Sequence, residues 1–114
     1  MDEQLKSRVV EILDVLEIDT REENVEHMGV LVEAMGLYIS RNALYGDLWK
    51  KKGANDSLHH MESKFLRTQT LHMVIEQLQA TGDGNKEAAA ELLDSPLDLI
   101  NYSAFYIQNV RAGR

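Results

Sequence analysis

The chain has 114 residues, 44% of them hydrophobic and 27% charged, with one proline, seven glycines and no cysteine. That length predicts one domain, residues 1–114, with a modest core, and the missing thiols exclude disulfides, thiolate metal sites and a cysteine nucleophile. The formal net charge of −7 argues against attachment to nucleic-acid backbones, so DNA binding is not expected.

The charge is unevenly placed. Between Arg41 and Arg67, six cations (Arg41, Lys50, Lys51, Lys52, Lys64 and Arg67) face three acids (Asp47, Asp56 and Glu62). That segment therefore carries +3 and the remainder −10. A basic middle inside an acidic chain suits either a small anion-binding locus or a solvated cluster. No apolar run approaches the roughly 18–20 residues that span a bilayer, so no membrane partner is expected. The opening MDEQLKSRVVEIL is acidic at once, unlike a secretory signal, and a cytoplasmic location is expected.

The periodicity is helical throughout. Leu5, Val9, Ile12, Leu13 and Leu16 mark a first helix. In DTREE, Thr20 is placed to cap a second helix, with Glu23 as its capping-box partner. That helix carries Val25, Met28, Val32, Met35 and Ile39 at spacings of 3, 4, 3 and 4, a bundle seam. Gly29 and Gly36 lie on a nearby stripe that would let another helix approach closely.

RNALYGDLWKKKG, Arg41 to Gly53, then brings Tyr45, Gly46, Asp47 and the single tryptophan, Trp49, into one short stretch. A plain helix end needs only Gly53 and a lysine. In KKGANDS, Gly53 should terminate a helix and Asp56 or Ser57 should cap the next, a third helix from about Leu58 to Gln79. ATGDGN is a turn, followed by a short helical piece, KEAAAELL. In DSPLD, Ser95 caps a last helix, Pro96 takes its first position and Asp98 closes a capping box. The last helix reaches about Arg111. These signals predict an all-α bundle of four main helices plus a short helical segment.

On the third helix, His60, Lys64 and Arg67 fall within about 60° of one another. The stripe is a candidate phosphate clamp, with Lys64 as a mobile charge and Arg67 as a two-pronged donor, or equally a surface stripe paired with acids. On the last helix, Leu99, Tyr102, Tyr106, Ile107 and Val110 form an apolar arc. Asp98, Asn101, Gln108 and Asn109 form the opposite arc, and Phe105 points into it, placed to stack on a base or to seal a subunit contact. Asn101 has no evident structural duty. Glu23 with Glu26 and Glu91 with Asp94 are carboxylate pairs that would suit Mg²⁺, although acids in a first helical turn are favoured without any metal. The histidine spacing does not make a zinc helix, and no phosphate-loop, nucleophile-elbow or dinucleotide motif occurs. No catalytic set emerges from the residues.

Three stretches, RNALYGDLW (Arg41–Trp49), SLHHMESKFLR (Ser57–Arg67) and DLINYSAFYI (Asp98–Ile107), resemble the nucleotide modification associated domain family, small all-α proteins of bacteria and phage. The matching positions are Asn42, Tyr45, Gly46, Trp49, Ser57, Lys64, Arg67, Asp98, Asn101 and Tyr102, and the resemblance spans about residues 24–110. Leu44 stands where the family usually carries an acid. The architecture is more distantly similar to MazG-like nucleotide pyrophosphohydrolases, but the two carboxylate pairs are too far apart for that family's metal signature, which is not carried over.

The resemblance implies a link to nucleotides or modified bases, in a host cytoplasm if the chain is phage-encoded. It implies a pocket in which Asn42, Tyr45, Gly46, Asp47 and Trp49 meet Lys64 and Arg67 from the third helix and Asp98, Asn101 and Tyr102 from the last. A nucleoside phosphate or other small phosphorylated ligand is the expected partner, and a homo-oligomer the expected assembly. The alternative expectation is a non-enzymatic interaction or self-assembly module.

Overall fold

The structure is a computed structural model that describes residues 1–82, 85–90 and 92–114, the side chains of Tyr45, Asn85 and Lys86 excepted. It is all-α, with α1 (Glu3–Val15), α2 (Glu22–Tyr45), α3 (Leu48–Ala80), the short α4 (Asn85–Ala90) and α5 (Asp94–Arg111), and no strand among the described residues. Among the described residues no helix is long and apolar enough to cross a membrane.

Asp2 caps α1, its side chain accepting the Leu5 amide at 2.7 Å. The helix ends in a Schellman turn: Glu17 donates to the Asp14 carbonyl and Ile18 to that of Leu13. Val9 and Leu13 bury against Val25 of α2, with Leu5, Val10, Met28 and Val32 around them. The predicted seam is therefore filled only in its first half. Met35 and Ile39 continue the same spacing but stand 53% and 57% exposed. Gly29 packs against Met1, whereas a Cβ on Gly36 would meet nothing within 4 Å.

The turn before α2 differs from expectation. Thr20 does not cap; Arg21 occupies the cap position, and its side chain makes no capping bond to the helix. Asp19 organises the turn instead, accepting from the Arg21 amide at 3.1 Å and its guanidinium at 2.9 Å. Those bonds hold the Asp19 carboxyl below its ordinary range.

Gly46 ends α2, ahead of the terminus expected at Gly53, and Leu48–Lys52 makes one further turn before the break at Gly53 (φ 79°, ψ −174°). The helix resumes at once, so Asp56 and Ser57 lie inside it rather than capping a later start. What replaces the cap is remote. The Ala54 amide donates to the Arg114 carbonyl at 2.9 Å. Arg114 is delivered there by a second Schellman turn, with Gly113 (φ 71°) in the left-handed position after α5.

α5 is the hub. It packs chiefly along α3 and also against α2, while α1 packs on α2 and α4 on α3. Ser95 and Asp98 do not form the predicted capping box, because α5 already begins at Asp94 with Leu93 at its cap. Both are buried. The sidedness of α5 is also the reverse of a simple reading: Asp98 and Asn109 face inward, while Ile107 and Val110 are 47% and 55% exposed.

Candidate functional site

Where α2 ends, α3 begins and α5 crosses both, a cleft of about 460 Å³ opens. α2 contributes Tyr38, Arg41 and Asn42, at the 3 and 4 spacings of one helical face. The turn after Gly46 contributes Trp49 and Lys52, α3 contributes Asp56 and His60, and α5 contributes Asp98, Asn101, Tyr102 and Phe105.

The walls are aromatic. Phe105 stacks on Trp49 with ring centroids 4.5 Å apart and planes 12° apart, and meets Tyr38 and Tyr102 edge-on at 5.2 and 5.6 Å. His60 stacks on Tyr102 at 4.5 Å. Phe105 is thus the centre of an aromatic cluster, half-buried and in contact with three other rings. Lys50 and Arg114 each lie 5.5 Å from the Trp49 ring centroid, placed for cation–π attraction.

Asp98 is 4% exposed and forms ion pairs with Arg41 of α2 and with Lys64 of α3, the latter at 2.9 Å. A buried carboxylate is tolerable only with such compensation. One acid therefore clamps three helices together, which accounts for its burial better than a local cap would. Burial raises the Tyr102 phenol above its ordinary value, and the nearby Asp98 charge adds to that. Asn101 has a structural duty that its sequence context hides: its Nδ2 donates to the Ala34 carbonyl at 2.8 Å, pinning α5 to α2. Asn109, fully buried, donates to the Trp49 carbonyl at 3.1 Å and to the Ser57 hydroxyl at 3.2 Å. That bond holds the Trp49 turn in register with α5.

Of the residues expected to converge, Asn42, Gly46, Trp49, Asp98, Asn101 and Tyr102 line the cleft. Lys64 stands behind it on Asp98. Asp47 is exposed, 3.4 Å from Lys50, and does not line the cleft. Arg67 is exposed and does not line it either; the guanidinium beside Asp98 is that of Arg41. The backbone of Tyr45 closes α2, and its side chain lies outside the described residues. Of the carboxylate pairs, Glu23 and Glu26 are both exposed, and Glu91 lies outside the described residues. Among the described residues no three His, Asp or Glu side chains gather in a metal-holding group.

Two features of the cleft bear on what it could hold. Asn42 Oδ1 and Trp49 Nε1 are buried atoms that make no hydrogen bond among the described residues. An orphaned buried polar group costs on the order of 1–3 kcal/mol, and both belong to residues that line the cleft. Lys52 also lines it and pairs with no acid among the described residues. Sequence reasoning counts Arg41 and Lys52 in the basic segment without assigning them to the pocket, and misses Tyr38; the Tyr38–Arg41–Asn42 face of α2 is the available signal. No protein family, curated protein or solved structure matches this chain.

Proposed function

We propose that the cleft binds a nucleoside phosphate, with the base among the aromatic walls and the phosphate at the mouth beside Lys52 and Arg41. The observation that carries this reading is that Asn42 and Trp49, which line an aromatic-walled cleft, each hold a buried polar atom, Oδ1 and Nε1, without a hydrogen-bond partner among the described residues. A nucleobase edge offers both donor and acceptor groups, so it could serve an acceptor such as Oδ1 or a donor such as Nε1. The uncommitted ammonium of Lys52 would meet a phosphate as a point charge. The resemblance to the nucleotide modification associated domain family agrees with this ligand class.

Trp49 is the only tryptophan, so its fluorescence reports the cleft alone. Titration with nucleoside mono-, di- and triphosphates, with and without Mg²⁺, is expected to change its emission saturably. Lys52→Ala should weaken a phosphorylated ligand by about tenfold, roughly 1.4 kcal/mol, and leave the parent nucleoside unaffected. Arg67→Ala should change nothing. No saturable response or binding heat across these ligands rules the reading out.

A second reading, a non-enzymatic self-assembly or interaction module, draws support from the many large apolar side chains left exposed, among them Phe65 at 52% and Met73 at 67%. It predicts that surface changes away from the cleft abolish activity in the cell while Lys52→Ala is tolerated.

A further inference from the structure

Leu48–Lys52 is a short turn of helix set between two breaks, and it carries Trp49 and Lys52 to the cleft. Gly46 before it has φ 63° and ψ −153°, and Gly53 after it has φ 79° and ψ −174°. Both pairs of angles fall in a region of backbone space that only glycine enters readily. Regular helical geometry runs through neither glycine, so contacts from elsewhere set how the turn lies.

Those contacts come from α5 and the residues after it. Phe105 stacks on the Trp49 ring, Asn109 donates to the Trp49 carbonyl at 3.1 Å, and the Arg114 guanidinium lies 5.5 Å from the ring centroid. Arg114 is itself fixed at its backbone. Its amide donates to the Asn109 carbonyl at 2.8 Å, and its carbonyl accepts from the Ala54 amide at 2.9 Å. Its carbonyl carbon lies 3.2 Å from where a Cβ on Gly53 would stand. An anchored backbone lowers the entropy lost in holding the long side chain over the ring. Lys50 is also 5.5 Å from the ring centroid, but it belongs to the turn, pairs with the adjoining Asp47 and moves with the indole. Of the two cations, Arg114 is the one that ties the indole to another element.

We infer that Arg114 is a positioning residue for the cleft. It does not line the cleft; it acts through Trp49, holding the indole against Phe105 and so fixing one aromatic wall. The consequence for ligand affinity rests on the nucleoside phosphate reading, whereas the consequence for the indole does not.

Trp49 is the only tryptophan, so time-resolved fluorescence anisotropy of the unliganded protein reads the indole directly. Arg114→Ala is expected to add a fast depolarising component, and Arg114→Lys, which keeps a cation over the ring, to stay close to the wild type. Lys50→Ala should leave the decay unchanged. Arg114 is exposed, so the urea midpoint of Arg114→Ala should stay near that of the wild type, which separates positioning from a general loss of stability. Arg114→Ala should also weaken a nucleoside and its monophosphate by the same factor, about fivefold, because the loosened wall serves the base. A decay unaltered in Arg114→Ala, or altered as much in Lys50→Ala, overturns the proposal. So does a loss confined to the phosphorylated ligand, which would make Arg114 a phosphate contact. If the wild type binds none of these ligands, the nucleoside phosphate reading fails by itself and the anisotropy decay still decides the role of Arg114.

Discussion

Asp98 is a carboxylate removed from water, and its two cations differ in how much solvent they keep. The Lys64 side chain is 18% exposed and that of Arg41 44%. Asp98→Ala strands both charges and should cost about 3 kcal/mol in urea denaturation, most of it from the less hydrated lysine. Lys64→Ala alone should cost less, because Arg41 still neutralises the acid, and the Lys64/Arg41 double variant should cost more than the two singles added. Additive losses would mean that the three groups do not act as one cluster. Tyr102 makes a second prediction at this scale. Its folded pKa is raised above the ordinary 10.0, first by burial and then by Asp98. The stability this contributes is fully present below pH 10 and is lost as pH rises through the folded value. Tyr102→Phe should therefore remove part of the decline in stability above pH 10, measured against the wild type at matched salt.

Among the elements, the break at Gly53 shows what local signals contain and what they omit. The glycine announces the break, but nothing nearby announces that the helix restarts one residue later. The Ala54 amide finds its acceptor in Arg114, about sixty positions away, so no local capping residue is required. Gly53→Ala places a Cβ 3.2 Å from the Arg114 backbone at a φ of 79° and should destabilise by about 1–3 kcal/mol. Gly36→Ala, mid-helix with open space around it, should instead stabilise by up to about 1 kcal/mol. Matching thermal shifts for the two would contradict this account. The same distinction explains how much of the site was legible. Helix class and the first half of the seam follow from 3 and 4 spacings; Asn42, Gly46 and Trp49 come from a stretch overfurnished for a helix end, and Asp98, Asn101 and Tyr102 from the last helix through the family resemblance. Arg67 was chosen over Arg41 because two cations on one helix stripe look like a clamp, whereas Arg41 joins Asp98 across 57 positions. The inward placement of Asn101 and Asn109 is hidden for the same reason: Ala34, Trp49 and Ser57, which accept from their side-chain amides, lie on other helices.

The whole molecule is held by two separate packing units joined along α2. At one end, Val9 and Leu13 of α1 bury against Val25. At the other, Tyr38 and Arg41 of α2 join the aromatic and ionic centre built on α5. Ala34, 1% exposed and bonded through its carbonyl to Asn101, marks the boundary. Apolar contact does not run unbroken between the two, since Met35 and Ile39 on the intervening seam face outward. Each unit is expected to open without the other, because the two are joined chiefly along α2. Leu13→Ala leaves a cavity in the smaller unit and should cost about 3 kcal/mol there. Amide exchange in α1 and the first turns of α2 should accelerate by roughly a hundredfold, the equivalent of that loss. Trp49 sits in the other unit, so its fluorescence midpoint in urea should move far less than the helical circular dichroism does. Coincident transitions in this variant would show that α2 couples both ends into a single folding unit. The separation would place the cleft on the more robust unit, so that loosening α1 leaves the geometry of the site intact.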